Sequence, residues 1–153
     1  MAQAATVRML IKSPSFVPGG YIPEEFSCGG KDVNPPLVFE GVPEKARSLA
    51  LVVDDPDAPD GTWFHWVTWN IPPRTVRIGA GSVPEGTVQG RNSWGKSAYG
   101  GPCPPSGVHH YFFKLYALDT VLSLGRSAGA AELEAAMRGH IIARSEIVGL
   151  FKK

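Results

Sequence analysis

Four histidines, His65, His109, His110 and His140, and the acidic run Asp54-Asp55-Pro56-Asp57 with Asp60 just beyond it are the residues most able to do chemistry in this chain. A carboxylate among imidazoles can hold a metal ion, serve a nucleophile, or bind an anion through ring N–H donors. A zinc site needs three or four converging ligands, and beyond the His109-His110 doublet no metal-ligand spacing occurs. Nucleophilic hydrolysis would call on Ser97 or Ser106. There is no GxSxG elbow, and Ser106 sits in a proline-bounded loop, so a hydrolase is the third reading. Gly90 to Ser97 satisfies the phosphate-loop pattern GxxxxGK[ST] literally, but that loop works only when a helix follows it. Here Gly100-Gly101-Pro102-Cys103-Pro104-Pro105 comes next, and such a run cannot begin a helix.

The elements that would carry these residues are mostly strands. The spacing predicts strands at Val7–Ile11, near Tyr21 or Phe26, and at Leu37–Phe39, Arg47–Val53, Trp63–Ile71 and His109–Leu118. Short ones are expected around Val76–Ile78 and Thr87–Gln89, with a terminal strand at Glu146–Phe151. One amphipathic helix is expected over Ala130–Arg144, with a cap region near Ser127, a weak point at Gly139 and His140 on its apolar stripe. Side chains of one parity share one face of a strand. Asp55 has the parity of Leu49, Leu51 and Val53; His65 that of Trp63, Val67, Trp69 and Ile71; His109 that of Tyr111, Phe113 and Leu115. Asp55, His65, His109 and Tyr111 should therefore converge at one end of a sandwich, with His110 turned away and Asp54 and Asp60 left to solvent. Imidazoles beside a carboxylate tend to hold protons and so to offer donors to an anion. The loop Tyr99-Gly100-Gly101-Pro102, lacking two Cβ atoms, could bring backbone N–H groups to the same ligand. An Asp–His network that merely closes a strand end would use the same residues, and spacing does not choose between the two.

The whole chain fits one domain over residues 1–153: 43% of residues are hydrophobic, and 18 glycines and 14 prolines punctuate short strands. With 15 Lys plus Arg against 14 Asp plus Glu, and no basic run beyond Lys152-Lys153, neither nucleic acid nor an anionic membrane is an expected partner. No stretch has the apolar length of a signal peptide or a membrane span, so a cytoplasmic location is expected, or a periplasmic or secreted one if a leader has been removed. Cys28 and Cys103 form no CxxC or metal set, and free buried thiols are expected, with a single disulfide between them as the lesser alternative. No cofactor is implied.

The sequence resembles the phosphatidylethanolamine-binding protein family, and its prokaryotic Raf-kinase-inhibitor-like branch in particular. The likeness rests on DPDAP at Asp55–Pro59 after LALVVD, on WFHW at Trp63–Trp66, and on YGGPCPPSGVHHYFFKLYALD at Tyr99–Asp119. It extends through Pro14–Glu44 and the closing helix and strand. The resemblance implies an antiparallel Greek-key β-sandwich and a pocket for a phosphate or phosphorylated head group. Residue by residue, it implies that Asp55 is the pocket aspartate and Asp57 its support, with His65 as the pocket histidine and Trp63 at the rim. Gly101 and Pro102 would form the loop over the anion, and His109 and Tyr111 the HxY pair. It also suggests a cis Ala58–Pro59 bond and a homodimer, and, as an alternative function, inhibition of a protein kinase or serine protease. His110 stands where arginine is common, the insertion after DPDAP is short, and the C-terminal extension of animal members is missing. Kinase inhibition therefore does not transfer with the motifs.

Overall fold

A computed structural model describes residues 8–153 and places them in two antiparallel sheets and one helix. The smaller sheet has the order β1 (Leu10–Lys12), β2 (Leu37–Glu40), β5 (Arg77–Ile78). The larger runs β6 (Val88–Gln89), β4 (Trp63–Ile71), β3 (Ser48–Asp55), β7 (Val108–Leu118), β8 (Ile141–Lys152), an order compatible with Greek-key connections. The expected first strand begins at Val7, outside the described residues, and its described part is shifted to Leu10–Lys12. Near Tyr21 there is no strand, only a single bridge to Leu150 and a 3-10 turn at Glu24–Phe26.

The core between the sheets is built from Ile11, Leu37 and Phe39 on one side and Leu49, Leu51, Val53, Phe113 and Leu115 on the other. Each such side chain, once fully buried, contributes roughly 1.5–3 kcal/mol of transfer free energy. A second apolar layer lies on the outer face of the larger sheet, where Ala50, Val52, Val67 and Trp69 meet Leu133 and Met137 of α1 (Ala130–Met137). β3 is thus covered on both faces, and all eight of its residues are buried.

The helix is shorter than its apolar spacing predicts. Gly139 takes φ 84° and ends it, and residues expected to continue the helix start β8 at Ile141. His140 therefore leaves the apolar stripe and pairs at the surface, its Nδ1 2.8 Å from Asp119 Oδ1. The N-cap is Gly129 rather than the Ser127 region, and no side chain caps it.

β4 departs from strict alternation twice. Val53 faces Trp66 and Asp54 faces Phe64, so His65 has no counterpart on β3 and is the extra residue of a β-bulge. Leu49 faces Ile71 and Leu51 faces Thr68, which puts another extra residue at Trp69–Asn70, where Asn70 takes φ 55°. Between the bulges the parity is reversed. Trp66 turns into the inter-sheet core, while Val67 and Trp69, expected on the side of His65, pack under α1.

Candidate functional site

At one end of the sandwich β3, β4 and β7 close a cleft of about 730 Å³, lined by Asp55, His65, His109 and Tyr111 at its base and by Trp63 and Trp94 at its mouth. Regular alternation carries Asp55 on β3 and His109 and Tyr111 on β7 into it, as parity predicts. His65 arrives by the bulge, which lets it and its neighbour Trp66 both turn toward the inner face.

Asp55 is buried and fully engaged. Its Oδ2 accepts from His109 Nδ1 at 2.6 Å, and its Oδ1 accepts from the Asp57 amide at 2.8 Å. A buried carboxylate is expensive unless paired, and these two donors are the compensation the acidic turn requires. Asp57 contributes that amide rather than its side chain. Its carboxylate turns outward, where Oδ2 accepts from the His110 amide at 2.8 Å and from His110 Nδ1 at 2.7 Å. The His110 side-chain bond holds the Asp57 carboxyl below the usual carboxylate range. His110 points away from the cleft, as its parity requires, and ties down the turn. Ala58–Pro59 is trans, since no cis bond occurs among the described residues.

His65 corrects the expectation that both pocket imidazoles are charged by a carboxylate. It is 3% exposed, and its Nδ1 lies 2.8 Å from the carbonyl of Gly100, a neutral acceptor. Burial pushes its pKa down, so the neutral ring is favoured at neutral pH. Tyr111 stands edge-on to His65, with centroids 5.2 Å apart, and stacks on His109 at 6.5 Å. Its hydroxyl is buried and donates to no protein group, with only the Cys103 amide approaching its oxygen, and burial pushes its pKa upward, keeping it a donor.

The glycine loop also differs from expectation. Gly100 N–H donates to the His65 carbonyl at 2.9 Å and Gly101 N–H to Asp32 Oδ1 at 2.7 Å, so neither amide is free for a ligand. Pro102 does not line the cleft; its carbonyl accepts from the Cys28 amide at 3.0 Å. The missing Cβ atoms serve close packing. One on Gly101 would lie 2.2 Å from the Phe26 carbonyl oxygen, and one on Gly100 would lie 2.3 Å from the Trp94 ring. Gly101→Ala should therefore displace the loop from Phe26 and Asp32 and cost about 1–3 kcal/mol of stability, as overpacking does. Urea unfolding of the variant measures this.

Cys28 and Cys103 are not free thiols. They form a disulfide, with Cα atoms 5.4 Å apart, joining the Glu24–Phe26 segment to the glycine loop. The sequence separates them widely, and only the approach of the two loops pairs them. Asp54 is not left to solvent either. It is 3% exposed, sunk in a groove on the outer face of the larger sheet between Phe64, Lys114 and Met137, and its Oδ2 lies 2.8 Å from Lys114 Nζ. Asp60 is exposed as expected, at the mouth of the cleft.

Sequence reasoning missed Trp94. It is 43% exposed, edge-on to His65 at 5.0 Å and to Trp63 at 5.5 Å, and so forms half of an aromatic rim. It lies inside the stretch that mimics a phosphate loop, which is in fact a turn folded on Asn92, whose Oδ1 accepts from the amides of Trp94 and Lys96. Neither candidate nucleophile lines the cleft, and Ser97 Oγ donates to the Arg126 carbonyl. Among the described residues no group of His, Cys, Asp and Glu could hold a metal ion, and no helix is long and apolar enough to cross a membrane.

Comparison with known proteins agrees with this fold. The model of the phosphatidylethanolamine-binding protein family matches residues 12–152. A UPF0098 protein of Methanothermobacter thermautotrophicus is 47% identical over 150 residues, covering 95% of this chain and 99% of the relative. The crystal structure of a putative phosphatidylethanolamine-binding protein homologue from Chlamydia trachomatis superposes with TM-score 0.93 at 41% identity, covering 96% of this chain and 99% of that one. Escherichia coli YbcL, described as a member of the mammalian family, gives 0.90 at 31% identity over 95% of this chain and 99% of its own.

Proposed function

Because this chain belongs to the phosphatidylethanolamine-binding protein family, we propose that its cleft binds a small anion, in particular a phosphate or phosphorylated head group. The observation that carries the reading is the Tyr111 hydroxyl, buried without a protein acceptor beside two imidazoles in an open cleft. An unmade hydrogen bond on a buried hydroxyl costs about 1–3 kcal/mol, and a ligand oxygen would recover it. The Asp55–His109 pair supports the same reading, because an imidazolium held against a carboxylate can donate from Nε2 while its charge stays compensated. The aromatic rim would exclude water from whatever the bound group carries.

In a phosphate titration, the ring resonances of His65 and His109 should shift at millimolar concentration, with exposed His140 as the internal control. Resonances that stay fixed would reject the reading. Tyr111→Phe should weaken binding roughly tenfold yet leave stability nearly unchanged, since the hydroxyl it removes is only approached by the Cys103 amide and makes no hydrogen bond of full geometry. As to compartment, the disulfide favours an oxidising setting over the cytoplasm that the sequence suggested.

A further inference from the structure

Resting on that reading, we propose that the cleft selects an acid carrying its own proton, an inorganic phosphate or phosphomonoester monoanion, over phosphodiesters and sulfate. The selectivity comes from hydrogen-bond polarity. The Gly100 carbonyl can only accept, so the His65 hydrogen sits on Nδ1, and Nε2 of the neutral ring presents a lone pair with no protein partner. The ring is buried and hydrogen-bonds to no carboxylate among the described residues, and burial outweighs the pull of Asp55, Asp54 and the Gly100 and Gly101 carbonyls toward a second proton. Beside the ring, the Tyr111 hydroxyl donates. His109, its Nδ1 committed to Asp55 Oδ2, presents Nε2 as acceptor when neutral and donor when protonated. The loop amides that would otherwise favour a purely accepting anion are already spent on the His65 carbonyl and on Asp32.

The base of the cleft therefore asks for one donor and at least one anionic oxygen on the same small group. A P–OH beside a P–O⁻ meets both demands. Sulfate at neutral pH has acceptors only, and the two free oxygens of a phosphodiester are likewise acceptors, so each would set a lone pair against His65 Nε2. Fixed charge points the same way. Asp32, Asp55 and Asp60 line the cleft against one ammonium, Lys96, an arrangement that disfavours a dianion. The groups facing His65 are Asp55, His109 and Tyr111 from β3 and β7 and Asp32 and Tyr99 from the loops, with Asp54 behind β3 and Lys96 and Asp60 at the mouth.

The test compares phosphate, phosphoethanolamine, sulfate and the diester glycerophosphoethanolamine by calorimetry at about pH 5.5, below the second pKa of about 6 of a phosphomonoester, with phosphate and sulfate repeated at about pH 8. Phosphate and phosphoethanolamine should bind at least tenfold more tightly than sulfate and the diester, roughly the cost of one unsatisfied buried acceptor. The advantage of phosphate over sulfate should shrink at the higher pH as the P–OH ionises near its second pKa of about 6–7. Sulfate also reports any general gain from protonating His109, which would raise both anions together. The diester arm separates an intact lipid head group from a free phosphomonoester. Sulfate or the diester binding within about twofold of phosphate would overturn the selectivity while leaving the anion cleft intact, whereas no binding of any probe would overturn both. His65→Gln can place a side-chain N–H₂ donor near the Nε2 position, and should erase the preference by improving sulfate relative to phosphate. Tyr111→Phe should weaken phosphate and sulfate by similar factors and keep their ratio, and a ratio collapsing in that variant would overturn the assignment of the lone pair to His65.

Discussion

Reducing the Cys28–Cys103 bond, or replacing both cysteines by serine, should lower the thermal midpoint by roughly 10 °C while leaving the cleft formed. The bond closes a loop spanning 75 positions, and in the chain-entropy account a loop of that length contributes about 4 kcal/mol by restricting the unfolded chain. The local geometry does not depend on it alone. The Cys28 amide on the Pro102 carbonyl, the Gly101 amide on Asp32 and the Tyr99 hydroxyl on the Phe26 carbonyl at 2.7 Å tie the same two segments together. Stability should therefore fall much more than ligand affinity. Calorimetry with and without a phosphine reductant reads the first, and phosphate titration of the reduced protein reads the second. An unchanged midpoint would mean that the bond does not constrain the unfolded chain in solution.

Lys114→Met should cost about 2 kcal/mol at neutral pH, and the loss should shrink in acid. The substitution strands Asp54 without its ammonium on the covered face of β3. Removing one partner of a fully buried pair costs roughly 3–5 kcal/mol; the lower figure allows for Lys114, whose side chain is 33% exposed and partly screened by solvent. Burial holds the Asp54 carboxyl above its ordinary value, with Lys114 as the main opposing influence. A carboxyl with a higher pKa folded than unfolded takes up its proton first in the folded state. Its contribution is then full below the unfolded pKa and is lost as pH rises through the folded one. Without Lys114 the folded pKa climbs further and that window widens. Urea unfolding at about pH 7.5 and about pH 5 should show wild type and variant converging at the lower pH. Adding Asp54→Asn should recover much of the loss at neutral pH, because the neutral amide needs no cation.

What could be read from the sequence was what regular strands encode. On β3 and β7 alternation runs unbroken through the site, so Asp55, His109 and Tyr111 fall on one face and His110 on the other by counting alone. On β4 counting gives the right face for Trp63, His65 and Ile71 and the wrong one for Val67 and Trp69, because a two-residue period carries no sign of a bulge. Asp54 was misjudged because its fate is decided by Lys114 on β7, far along the chain, rather than by the turn beside it. The disulfide and the engaged glycine amides depend on two loops meeting, which no local pattern records. Trp94 was hidden in a motif whose helix does not follow.

The two irregularities of β4 also fix how this protein can change. Each adds one residue, and together they cancel: the strand enters and leaves in the same phase, with only its middle stepped out. Deleting His65 alone would join Phe64 to Trp66 in regular alternation and leave every later residue of β4 in its present register with β3, whereas deleting Val67, inside the regular stretch, would exchange faces for the residues on one side of it. Losing one residue from each position together would restore a flawless strand and abolish the imidazole that aims at the ligand. Recognition here depends on the residue count of a strand as much as on residue type: one residue fewer at position 65 removes the imidazole with the ladder intact, while a deletion between the bulges, at residues 66–68, should be far less tolerated than substitution.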